Sequence, residues 1–431
     1  MTPKRIATNR LFLSLALFFT AASAPAMEII THAEGFLPGS HHLELRDLGF
    51  DNIDLIPADQ SAVTSLAEAP NGDIYGGTTA AVGRACHLFV FSPLHDRTDL
   101  LRNRVKHLGI IPGHESVHHS LLADEKGVIY VGVGRNELEQ HPLSDPMPGN
   151  SGIMKSLWAD IKNRYKNYPG GPLYRYDPTA DKRDWVAPDE TCPLEDLGIP
   201  VPNNGIYALT INPKRAEIYG VTYPDGHFFV YQITANKFVD LGEIYKKTIY
   251  ARPDNRTLRS ITAALVCDAQ GCVYGSADDS GIFRYDPERT KLEILAVKFP
   301  SVYYSVIEAF ATDKAGAIYG GTLEGYLFRF DPEKLKVNNL GKPIAQLRIR
   351  ALTVGKDGVI YGLAGQRSDH CRVFSYNLGE SSFSDLGILK VVREPYYQWT
   401  ALQTDAMLTA KDGVIYIGES ERRSHLILFY P

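Results

Sequence analysis

Short apolar runs with two-residue alternation recur along the whole chain, each closed by a polar turn carrying Gly or Asp. Seven of these runs contain an Ile/Val-Tyr pair, at Tyr75, Tyr130, Tyr219, Tyr274, Tyr319, Tyr361 and Tyr416, and Gly follows the Tyr in five of the seven. The surrounding segments read NGDIYGG, KGVIYVG, RAEIYGV, QGCVYGS, AGAIYGG, DGVIYGL and DGVIYIG. The tyrosines are spaced by 55, 89, 55, 45, 42 and 55 residues. A repeat of this length with four short strands per unit predicts a β-propeller blade.

The rest of each unit is also regular. A third strand ends in an aromatic residue and Asp-Pro or its echo, as in LYRYDP (173–178), IFRYDP (282–287) and LFRFDP (327–332). A fourth ends in Leu-Gly, as in VKHLG, LEDLG, FVDLG, VNNLG and FSDLG. The last unit stops at LILFYP, its third strand, while LELRDLG (43–49) stands alone before the first unit and matches the fourth-strand pattern. The expected fold is therefore all-β: a seven-bladed β-propeller whose ring is closed by an N-terminal strand completing the C-terminal blade. Closure removes exposed sheet edges. Residues 27–431 then form one domain, since single blades cannot bury their own faces. The long interval between Tyr130 and Tyr219 holds an insertion at about 142–171 in blade two. Ile153, Leu157, Ile161 and Tyr165 in it have helical spacing, which fits either a solvated decoration or a wall over a site.

Composition narrows the setting. Lys4, Arg5 and Arg10 precede a 12-residue apolar run, Leu11–Ala22, and Ala24-Pro25-Ala26 supplies small residues for cleavage. Residues 1–26 thus read as a signal peptide, and a secreted or periplasmic location is expected. The net charge of −5 gives no nucleic-acid or polybasic membrane signal, and a monomer is expected. Cys267 and Cys272 flank a tight turn, where either a disulfide or two buried thiols would fit. No CxxC or HExxH spacing occurs, so no motif requires a cofactor, although a structural metal ion could be bound without one.

In a propeller, the approach to strand one and the loop after strand two meet on one face, around the mouth of the central channel. Approaches to strand one carry His118, His119, Asn204, Tyr207, Arg259, Glu308, Arg348 and Arg350; loops after strand two carry Arg135, His141, Tyr223 and His227. Histidine, tyrosine and arginine therefore concentrate in blades two to four. This trio suits β-elimination from a uronate-containing polysaccharide. A cation neutralises the C6 carboxylate and acidifies the C5 proton, a His or Tyr base removes that proton, and an acid protonates the departing glycosidic oxygen. Arginine grips carboxylate in a bidentate fork.

The blade pattern, IYGGT with YDP and a terminal Leu-Gly, resembles the secreted propeller polysaccharide lyases, ulvan lyases especially. The resemblance implies cleavage of an anionic, uronate-bearing and in some cases sulfated polysaccharide. On this resemblance His119 is similar to the first catalytic histidine, His141 to the second, and Tyr207 to the catalytic tyrosine. Tyr223 stands where an arginine is expected, so Arg259 or Arg135 would substitute. His119 and Tyr207 are the expected base and acid, in either order, with His141 and Arg259 neutralising or positioning the carboxylate. Tyr223, Arg135, His118, His227 and Arg348 are expected to bind substrate. The alternatives are a non-catalytic propeller that binds a glycan or protein, and a propeller hydrolase or small-molecule lyase.

Overall fold

The computed structural model describes residues 31–32, 44–48, 56–93, 105–136, 165–245, 250–251, 257–258, 261–302, 305–365, 370–393, 397–421 and 423–431. The expected signal peptide lies outside them, as does most of the blade-two insertion. Each Tyr anchor occupies the second strand of its own antiparallel sheet, and seven such sheets form a seven-bladed propeller. Blade one comprises Ala62–Glu68, Ile74–Thr79, Cys86–Phe91 and Val105–Ile111. Blade two has shorter strands, Leu121–Ala123, Ile129–Gly132, Leu173–Tyr176 and Glu195–Asp196, and the insertion enters between its second and third. In blade seven, Thr404–Thr409, Ile415–Glu419 and Leu426–Tyr430 are joined by the N-terminal strand Glu44–Asp47, with Leu45 opposite Phe429. The ring is closed as the sequence pattern requires, and Thr31–His32 adds a fifth strand outside it.

The repeated residues have identifiable work. In blade four, Tyr274 donates its hydroxyl to Asp268 Oδ2 at 2.8 Å, while Asp268 Oδ1 accepts the backbone N–H groups of Gln270 and Cys272. Blade five repeats this with Tyr319 and Asp313, and blade six with Tyr361 and Asp357. In these three blades the anchor is thus a buried ring whose polar end ties the strand-one to strand-two turn, so its phenol is hydrogen-bonded despite burial of the ring.

The Gly after the anchor is explained by its cross-strand neighbour. Gly76, Gly220, Gly275, Gly320 and Gly362 sit opposite Phe89, Phe229, Phe283, Phe328 and Phe374. A Cβ on any of them would fall 2.0–2.5 Å from that ring. The two blades without the Gly lack the Phe: Val131 faces Tyr174 and Ile417 faces Ile427. The cores lie between neighbouring blades, as where Tyr319 and Leu327 of blade five pack with Ile349, Ile360 and Phe374 of blade six. Cys267 lies opposite Val273, not Cys272, and both thiols are free.

Candidate functional site at the channel mouth

The first strand of a blade runs along the central channel, and in five blades it carries a one-residue bulge. A bulge turns its extra side chain out of the regular alternation. The bulged residue lies three positions before the residue paired with the Tyr anchor. Counting in the same way through all seven blades gives Thr64, His119, Tyr207, Ala263, Glu308, Arg350 and Asp405. Six of them line one central cavity of about 170 Å³; Tyr207 turns aside.

Blades five to seven supply charge. Arg350 donates through Nε to Asp405 Oδ1 at 2.6 Å and to the Thr404 carbonyl at 3.1 Å. Asp405 also accepts from the Ser420 hydroxyl and from Gln403 Nε2. Burial alone would push the Asp405 carboxyl up. Arg350, Ser420 and Arg348 reverse this and hold it well below the usual carboxylate range. Beside this pair, Arg348 grips Glu308 with Nε at 3.1 and 3.0 Å and Nη2 at 2.6 Å. Burial would lower the Arg348 pKa, but Glu308 and Asp405 together raise it, so the guanidinium is charged at any working pH. Arg348 adopts φ 66°, the left-handed region that non-glycine residues enter at a cost.

Blades two and three supply aromatic and imidazole groups. His119 spans the blade boundary through its backbone, donating to the Tyr207 carbonyl and accepting from the Leu209 N–H. Its side chain lines the cavity, and its ring nitrogens bond to none of the described residues. Burial lowers its pKa, Asp405 raises it and Arg350 lowers it again, so the imidazole is held neutral near pH 7. His118 lies 4.6 Å from His119 and 4.3 Å from Tyr207, ring centre to ring centre. Tyr207 continues to Tyr223 at 5.6 Å, and Tyr223 to Tyr165 at 5.9 Å. The described end of the blade-two insertion therefore lies against this cluster. A neutral imidazole beside a phenol is a workable base and acid pair.

Four of the expected site residues thus come together: His118, His119, Tyr207 and Tyr223. Arg348 stands across the same channel mouth. Arg135 is bonded to Glu115 at 3.2 Å and stacked 4.8 Å over Tyr168, whose ring lies 5.7 Å from Tyr165. His227 begins the third strand of blade three, and its Nδ1 meets Asp240 Oδ2 of the fourth strand at 2.9 Å. His141 and Arg259 lie outside the described residues. Asp405 was not singled out by residue type, although a spacing identifies it. Six of the seven ring residues fall eleven positions before their Tyr anchor, and in blade three the interval is twelve. Among the described residues, no three His, Cys, Asp or Glu side chains converge to hold a metal ion.

No family model matches the chain, and no curated protein matches it. Solved structures do share the fold. A streptogramin B lyase superposes with a TM-score of 0.57 at 11% identity, covering 90% of this chain and 97% of the other. A catalytically inactive virginiamycin B lyase from Staphylococcus aureus, solved with quinupristin, gives 0.56 at 9% identity over 90% and 99%. The extracellular domain of a hybrid two-component system from B. thetaiotaomicron gives 0.52 at 12% identity, covering 89% of this chain and 39% of that one. At these identities the likeness is one of fold.

Proposed function

We propose that this protein is an exported propeller lyase that cleaves a uronate-bearing anionic polysaccharide, of the ulvan type, by β-elimination. The observation that carries the reading is the packing of His118, Tyr207 and Tyr223 beside His119, which lines a cavity that also receives Glu308, Arg350 and Asp405. In the proposed step, neutral His119 takes the C5 proton and its electron pair forms the C4–C5 double bond. The glycosidic C4–O bond breaks, and the Tyr207 hydroxyl protonates the departing oxygen. His118, between the two rings, sets their separation. Lyases named for streptogramin B and virginiamycin B share the scaffold, and an extracellular sensor domain shares it too, which accords with export.

One observation favours a second reading, a non-catalytic propeller that binds a glycan or protein. Arg348 and Arg350 are both neutralised by internal carboxylates, so the mouth lacks a strong net positive field. Incubation with ulvan, polyglucuronate and polygalacturonate separates the two. A lyase generates an absorbing unsaturated uronate and new reducing ends together. New ends without the double bond indicate hydrolysis, and binding without either product indicates a binding module.

A further inference from the structure

The channel ring contains two arginine–carboxylate pairs that are built differently. Asp405 is held by Arg350, Ser420 and Gln403, and Arg350 is further tied to the Thr404 carbonyl. That pair lines the cavity but has several internal partners, with side-chain exposures of 2% and 4%. Glu308, by contrast, receives only Arg348 among the described residues. Arg348 is the more open of the two arginines, at 14% side-chain exposure. Its bonds use Nε and Nη2, and Nη1 bonds to none of the described residues. A guanidinium has five N–H donors, so a second anion can be added without releasing the first. Arg348 also holds a left-handed backbone, where Gly or Asn would sit with less strain, and its N–H is fixed to the Leu323 carbonyl at 2.9 Å. A strained arginine in an ion pair with one partner and a spare donor edge is built to hold something besides that partner.

We propose that Arg348 is the carboxylate-binding residue of the channel mouth, and that Glu308 both orients it and weakens its grip so that an anionic ligand is released. This rests on the proposed uronate chemistry for the identity of the ligand, though not for the existence of the site.

The test is titration of glucuronate into the purified full chain, read by calorimetry, with folding checked by circular dichroism. Glu308→Gln removes one like charge next to the bound carboxylate and is expected to tighten binding on the order of tenfold, at an effective dielectric of about 20. Arg348→Lys keeps the charge and loses the fork, and is expected to weaken binding by about tenfold. A merely structural pair would loosen in both variants, so tighter binding by Glu308→Gln is the distinguishing result. Unchanged or weaker binding in Glu308→Gln overturns the proposal, as does Arg348→Lys binding like wild type. If Arg348→Lys does not fold, Arg348→Gln together with the Glu308→Gln result decides. Arg348-dependent glucuronate binding without polysaccharide turnover retains this site and rejects the lyase. Turnover that is indifferent to Arg348→Lys does the reverse.

Discussion

Lowering the pH should unfold this protein through its buried histidines before its carboxylates contribute. His87 is fully buried, with Nδ1 at 2.9 Å from His107 Nε2 and Nε2 at 2.9 Å from Gln60 Oε1. Burial, then the neighbouring His107, lowers its pKa from 6.5 to about 3. His114, bonded to the Tyr168 hydroxyl at 2.9 Å, is lowered by burial to about 4. A histidine depressed in the folded state stays neutral there while the unfolded chain takes up a proton. Stability is therefore lost as the pH falls below 6.5, at about 1.4 kcal/mol per pH unit per group, until the folded pKa is reached. At about pH 4.5 this amounts to about 3 kcal/mol for His87 and a similar loss for His114. Asp181 and Asp405 are held below the ordinary 3.8, so their stabilising contributions persist through this window and are lost only below it. Urea unfolding followed by circular dichroism at about pH 7 and about pH 4.5 measures the loss. In His87→Gln, which can still bond to His107 and Gln60, the pH-dependent loss should shrink by about 3 kcal/mol relative to wild type. An undiminished loss in that variant would refute the assignment of acid sensitivity to the buried pair.

The repeat chemistry gives further tests. Asp268→Ala removes the acceptor for Tyr274 and two turn N–H groups, and urea melts should show a loss of about 2–3 kcal/mol. Gly320→Ala places a methyl 2.1 Å from the Phe328 ring, and a thermal melt should register at least about 2 kcal/mol of destabilisation, whereas Gly316→Ala meets no neighbour and loses only about 1 kcal/mol from its positive φ. Leu45→Asp puts a charge on the buried face of the closing strand and exposes the edge of Leu426–Tyr430; light scattering should show association at concentrations where wild type remains monodisperse.

Architecture was legible because it is repeated. The seven Tyr anchors, the Gly after the Tyr in five of them and the isolated LELRDLG are local signals with local physical causes, and the repeated ones reinforce one another. The candidate site was legible only as a face. Residue type pointed to His118, His119, Tyr207 and Tyr223, which do meet. It pointed equally to Arg135 and His227, whose partners Glu115 and Asp240 lie 20 and 13 residues away and carry no pairing signal in the sequence. Asp405 is a single acid in an ordinary strand start. Only the eleven-residue offset from Tyr416, whose meaning depends on the bulge, marks it as part of the channel. Bulges are irregularities of pairing between strands, and alternation within one strand does not reveal them.

The proposed elimination assigns its proton transfers to His119 and Tyr207 at the channel mouth. The most direct measurement is the initial rate of unsaturated-uronate formation from ulvan by wild type, His119→Ala and Tyr207→Phe, with glucuronate binding measured in parallel. A measurable wild-type rate should fall by at least about a hundredfold in each variant while binding is retained. A folded wild-type protein that forms no unsaturated product, or variants that turn over at the wild-type rate, would contradict this assignment.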